Sequence, residues 1–152
     1  MNAPTTIEQE VLYAVDGHIA TITLNRPERM NTISRAMLGQ LTDDLLAADA
    51  DPEVRVVILT GTGRAFCAGL DLTEATGERR GGISNSSQLA VTLDLRSTPP
   101  TVLHEMDTPV ICALNGSAAG YGMDTALGCD IRIMARSAPR DATPQEAGGG
   151  DR

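Results

Sequence analysis

The stretch Asn115-Gly-Ser-Ala-Ala-Gly-Tyr-Gly-Met-Asp124 sets three glycines and a carboxylate where an apolar run turns into a helix-compatible sequence. The run, Pro109 to Leu114, reads as a buried strand ending at Asn115-Gly116. Backbone N–H groups in the first turn of a helix lack intrahelical acceptors and can hold a negatively charged oxygen. Asp124 follows Gly120 by about one helical turn, within reach of the same place. An oxyanion site beside a carboxylate is the chemistry these residues could perform. A second stretch, Gly61-Thr-Gly-Arg-Ala-Phe-Cys-Ala-Gly-Leu-Asp71, repeats the plan after the strand Val54–Thr60. It has no Gly-Lys-Ser/Thr of a P-loop, and Phe66 stands where a dinucleotide fingerprint needs its third glycine. Either stretch alone is also what an ordinary glycine turn looks like, and a carboxylate early in a helix is favourable to the helix dipole. Two such ends aimed at one point supply the pair of N–H donors needed where charge builds on a carbonyl oxygen; losing one typically costs about 3 kcal/mol of barrier.

The rest of the chain must position these stretches. Val11–Val15, Asp16-Gly17 and Ile19–Leu24 read as a hairpin, with Ala20, Ile22 and Leu24 on one face and Thr21 and Thr23 on the other. After the break at Asn25-Arg26-Pro27-Glu28, Ser34 is a helix N-cap, and Met37, Leu38, Leu41, Leu45 and Leu46 follow at helical spacing. Asp51-Pro52 closes that helix. Thr73 to Thr98 reads as a loop running into a short helix around Leu89, Leu93 and Leu95, ended by Pro99-Pro100. A helix over Thr101–Met106 leads into the strand at Pro109, and Asp130–Ala135 is a last short strand. Strands alternating with helices imply crossover connections and a mixed α/β core. Residues 1–135 form that core. Residues 136–152 contain no Val, Leu, Ile, Met, Phe or Tyr and read as a disordered tail.

Composition narrows the functions. The chain has 152 residues, 41% hydrophobic but only 2% aromatic, so its core must be aliphatic. A net charge of −8 and almost no aromatics for base stacking argue against nucleic acid. No apolar run reaches the length of a membrane span, and the first residues have no signal-peptide pattern. Cys67, Cys112 and Cys129 have no paired spacing and read as buried, reduced thiols, not a disulfide frame or metal site. A cytoplasmic protein is the expectation. His18 and His104 sit beside no nucleophile and at no metal-ligand spacing.

Five segments in order resemble the crotonase superfamily, the enoyl-CoA hydratase/isomerase family: Leu24-Asn-Arg-Pro27 with Met30-Asn31, Val56–Gly61, Ala65–Asp71, Pro109–Gly116, and Ala119–Asp124 through Cys129–Arg132. The resemblance covers Val11 to about Ala135. It implies the crotonase-like ββα spiral (the ClpP/crotonase fold), incomplete at the C-terminus, assembled as a trimer or a hexamer of two trimers. It implies an acyl-CoA substrate in fatty-acid or related acyl-CoA metabolism and no metal or redox cofactor, coenzyme A being part of the substrate. The thioester carbonyl would lie between the backbone N–H groups of Leu70 and Tyr121. Ala68, Gly69, Asp71, Leu72 and Gly120 would line the substrate path, with Arg26 near the CoA entrance. Asp124 falls where hydratases of the family carry the first of two catalytic Glu residues, with a carboxylate about 1.5 Å nearer the backbone. Related isomerases use Asp in this helix.

The family's second carboxylate, in a Phe…Pro-Glu…Gly-Gly segment, has no counterpart here. Asp141 and Glu146 lie in the polar tail without a supporting shell. The change of composition after Arg136 reads as a frameshift or a premature end. The alternative to an active hydratase or isomerase is therefore a catalytically inactive crotonase-fold fragment that binds CoA weakly or associates with full-length relatives.

Overall fold

Alternation and turn chemistry in the first third of the chain produce the edge of a sheet. A computed structural model describes residues 9–75 and 98–136. The expected loop and helix around Leu89, Leu93 and Leu95, and the tail with Asp141 and Glu146, lie outside them. Strands β1 (Val11–Asp16) and β2 (Ile19–Leu24) pair antiparallel from Val11↔Leu24 to Asp16↔Ile19. Ala20, Ile22 and Leu24 are fully buried, as period-two alternation requires.

Helix α1 (Arg35–Ala50) begins where Ser34 accepts a hydrogen bond from the Met37 N–H at 2.9 Å. Met37, Leu41, Leu45 and Ala48 are buried at helical spacing, whereas Leu46, one position off that stripe, is exposed. Strand β3 (Val56–Gly61) starts two residues later than the β-branched run suggests, because the Val54 N–H is taken by the Asp51 carbonyl in a turn.

Pro99 and Pro100, expected to end a helix, instead start one, α3 (Pro99–Glu105). Proline fits the first helical positions because its missing N–H would have no partner there. Strand β5 (Val110–Leu114) pairs parallel to β3, and β7 (Ile131–Met134) pairs parallel to β5. The five-stranded sheet has the order β1-β2-β3-β5-β7. Its inner face carries Ile22, Leu24, Val57, Leu59, Val110 and Cys112 into a core with Phe66 and the buried side of α1. The outer face is half-exposed at Ile58 and Ile111 and open at Ile131 and Ile133.

Each of the two glycine stretches holds one more element than its sequence suggests. Between β3 and helix α2 (Leu72–Ala75) lies β4 (Ala65–Cys67), and between β5 and helix α4 (Tyr121–Gly128) lies β6 (Ser117–Ala118). β4 and β6 pair parallel with each other, away from the main sheet. Two strand–strand–helix units are thus stitched together just before their helices begin. Among the described residues no helix is long and apolar enough to cross a membrane.

Candidate active site

The β4–β6 pairing brings the two helix approaches side by side. Beyond β4, the segment Ala68–Asp71 runs along Met30–Ile33. The Ala68 N–H donates to the Met30 carbonyl at 3.0 Å, the Ile33 N–H to the Gly69 carbonyl at 2.8 Å, and the Asp71 N–H to the Ile33 carbonyl at 2.9 Å. In a parallel bridge the residue between the two bonded neighbours turns its own groups the other way. Leu70 is that residue, so its N–H faces away from Ile33.

On the opposite side lies the start of α4. The Gly122 N–H donates to Ala119 and those of Met123 and Asp124 to Gly120, at 3.0, 2.9 and 3.1 Å. Tyr121 is the first helical residue, where an N–H has no intrahelical acceptor. Among the described residues neither the Leu70 nor the Tyr121 N–H donates to a backbone carbonyl.

Gly69 has φ +108, and a Cβ built there would sit 3.3 Å from the Ala119 oxygen and 3.9 Å from Tyr121 N. The peptide carrying the Leu70 N–H therefore adjoins the Tyr121 N–H, and only glycine holds that conformation at low cost. Gly122 serves the same closeness from the helix side: its Cβ would lie 2.4 Å from the Cys67 carbonyl oxygen. The chemistry available is polarisation of a carbonyl oxygen by two backbone donors.

Asp124 stands one turn into α4 with an exposed side chain. Burial pushes the Tyr121 hydroxyl above its ordinary range, and the nearby Asp124 charge pushes the same way. Ala68 is half-buried, Gly120 exposed with φ +50, and Leu72 71% exposed. Ala68 directly follows β4, and Gly120 and Tyr121 follow β6 by two and three residues.

Arg26 and Asp71 stand behind Leu70. The Arg26 Nη1–H donates to the Thr32 carbonyl at 2.7 Å, Nη2–H to Asp71 Oδ2 at 3.1 Å, and Nε lies 3.3 Å from Glu10 Oε1. Only 11% of the Arg26 side chain is exposed. The Asp71 carboxyl also accepts from the Thr73 hydroxyl at 2.6 Å and the Thr73 N–H at 3.0 Å. These bonds, the Thr73 hydroxyl first and Arg26 after it, hold its pKa down at about 2. Expected at a CoA entrance, Arg26 has its guanidinium engaged within the chain.

Two asparagines build the site in a role that the sequence does not show. Asn31, fully buried with φ +53, accepts from the Arg26 N–H at 2.8 Å and donates to the Thr62 and Ala65 carbonyls, both at 2.9 Å. Asn115 accepts from the Gly61 N–H at 3.1 Å and donates to Gly63 and Ala65 at 2.8 and 3.0 Å. Both side chains converge on β4. In the sequence both stand in family-like segments and beside turns, with nothing to show that they bond β4.

The other chemically able groups are elsewhere. His18 is exposed and bonds the Glu53 carbonyl, and His104 is exposed on α3. Cys67, Cys112 and Cys129 are buried and unbridged, and burial pushes the Cys67 thiol up, away from the reactive thiolate. Among the described residues no group of three or more His, Cys, Asp or Glu could hold a metal ion.

Comparison with known proteins bears on the family and the fold. The family described as enoyl-CoA hydratase/isomerase matches residues 15–148. The chain is 42% identical over 130 residues to the 1,2-epoxyphenylacetyl-CoA isomerase of Escherichia coli, covering 84% of this chain and 48% of that protein. It is 38% identical over 138 residues to a probable enoyl-CoA hydratase of Mycobacterium tuberculosis, covering 91% and 52%. The crystal structure of an enoyl-CoA hydratase from Bacillus anthracis superposes with a TM-score of 0.72 at 37% identity, over 86% of this chain and 49% of that one. The chain spans about half the length of the curated relatives it matches.

Proposed function

We propose, from the premise that this chain belongs to the enoyl-CoA hydratase/isomerase family and has the crotonase fold, that it binds an acyl-CoA thioester and polarises its carbonyl between the N–H groups of Leu70 and Tyr121. Negative charge moves onto the carbonyl oxygen as an enolate forms, and two fixed donors stabilise that charge more than they stabilise the ground state. Asp124, on the same helix turn as Tyr121, moves a proton to or from a carbon near the thioester. The backbone of Ala68, Gly69 and Gly120 shapes the floor of the site, and Leu72 offers an exposed apolar contact to the acyl-CoA. The reaction class is lyase or isomerase. The polarisation uses backbone donors, and coenzyme A enters as part of the substrate.

One observation carries this reading: the Gly69–Leu70 peptide adjoins Tyr121 N, with neither N–H spent on a backbone carbonyl. A second reading is binding and polarisation without turnover, with Asp124 the one carboxylate assigned to the site. Hydratase chemistry as expected from the family uses two.

Crotonyl-CoA tests both. Loss of conjugated enoyl absorbance on mixing, abolished by Asp124→Asn, supports an enzyme. Calorimetric binding of crotonyl-CoA without any loss of absorbance supports the second reading. Absence of binding refutes both.

A further inference from the structure

Arg26 and Asp71 are 45 residues apart in sequence yet form a 3.1 Å ion pair immediately behind Leu70. Their side chains are 11% and 5% exposed. The pair lies in a continuous polar chain. Ser34, the N-cap of α1, donates to the Glu10 carboxylate, Glu10 pairs with Arg26, Arg26 with Asp71, and Asp71 accepts from Thr73 in the first turn of α2. The far end of the same segment is fixed by the Ala68–Met30 and Gly69–Ile33 backbone bonds. The short segment Ala68–Asp71 is thus fastened at both ends on one edge, and its free edge carries the Leu70 N–H.

We infer that Arg26 and Asp71 are positioning residues, which help fix the direction of the Leu70 N–H by anchoring the chain on the Asp71 side of Leu70, without touching the acyl-CoA. This rests on the proposed thioester site. A guanidinium fork bonded to a carbonyl and a carboxylate at once fixes both position and angle, which a lone point charge would not. An N–H displaced by about 1 Å loses most of its hold on a developing oxyanion, and such misplacement typically costs about 100-fold in rate. The clamp should therefore govern polarisation and turnover while leaving the affinity for the CoA moiety nearly unchanged.

The test uses crotonyl-CoA labelled with carbon-13 at the thioester carbonyl, read by difference infrared spectroscopy. Binding to the unaltered chain should shift the carbonyl stretch to lower frequency. Asp71→Asn should return it most of the way to its free value and lower turnover about 10- to 100-fold. Thr73→Val, an exposed position beside the same carboxylate, should do so in part with the fold intact by near-ultraviolet circular dichroism. Affinity for coenzyme A itself should change less than about twofold, since the clamp makes no contact with it. An unchanged carbonyl stretch in Thr73→Val and in folded Asp71→Asn overturns the inference. So does a loss of coenzyme A affinity with the stretch preserved, which would place Arg26 and Asp71 in direct contact with CoA. No shift in the unaltered chain would instead refute the thioester site, and the inference with it.

Discussion

Gly122 on α4 and Cys67 on β4 are in such close contact that a Cβ at Gly122 would lie 2.4 Å from the Cys67 carbonyl oxygen and 2.7 Å from its Cβ. That carbonyl already accepts from the Ala119 N–H at 3.0 Å, so it cannot retreat without breaking the link between the two glycine stretches. Gly122→Ala must push the start of α4 away from β4. We expect a loss of about 3 kcal/mol, the upper end for overpacking, together with loss of crotonyl-CoA binding. Gly39→Ala is the control: its Cβ would meet nothing within 4 Å in the middle of α1. It should stabilise the chain by about 0.5–1 kcal/mol. Urea denaturation of the two variants checks both signs.

Asn31 satisfies one N–H and two carbonyls at zero exposure. Truncation leaves the Arg26 N–H and the Thr62 carbonyl without that partner, at about 1–3 kcal/mol for each buried group. Ala65 keeps its bond from Asn115. Asn31→Ala should cost about 3 kcal/mol or more in chemical denaturation. Asn31→Gly should cost about 1 kcal/mol less than Asn31→Ala, because φ at this position is +53.

What could be read in the sequence divides along physical lines. The β1–β2 hairpin, the Ser34 cap, and strands β3 and β5 depend on local period and turn chemistry, so they were legible within a few residues. β4 and β6 are three and two residues long, too short to show any period, and the pairing that builds the site was therefore hidden. Both glycine stretches were visible as candidate donors, but their convergence depends on a tertiary contact. Asn31 reaches partners 31 and 34 residues away, and Arg26 reaches Asp71 across 45. No spacing rule exposes bonds of that kind.

Asp71 should leave a signature in acid. Its folded pKa is about 2 against an ordinary 3.8, so the unfolded chain binds the proton more readily. The stabilisation is fully present above about pH 4 and is lost as pH falls through about 2. Urea midpoints measured from pH 5 to pH 2 should fall more steeply for the unaltered chain than for Asp71→Asn. Parallel curves would show that Asp71 gains nothing from the Thr73 and Arg26 bonds.

Strand β7 predicts how the chain behaves at high concentration. Ile131, Ile133 and Met134 are 53%, 61% and 52% exposed, and β7 is the last strand in the sheet order among the described residues. The inner side of the strand is anchored by Arg132, whose Nη1 donates to the Cys129 carbonyl at 2.6 Å just past the end of α4. That contact satisfies a helix-terminal carbonyl and places positive charge at the negative end of the dipole. Substitutions on the outer side should therefore leave the fold alone. An open apolar edge strand is a template for pairing with another chain, and charge blocks such pairing. Ile131→Lys with Ile133→Lys should change stability by no more than about 1 kcal/mol, yet reduce self-association in sedimentation velocity at high concentration. If the double variant associates as strongly as the unaltered chain, β7 is not the contact. If it unfolds, the outer face carries packing energy that its exposure does not reveal.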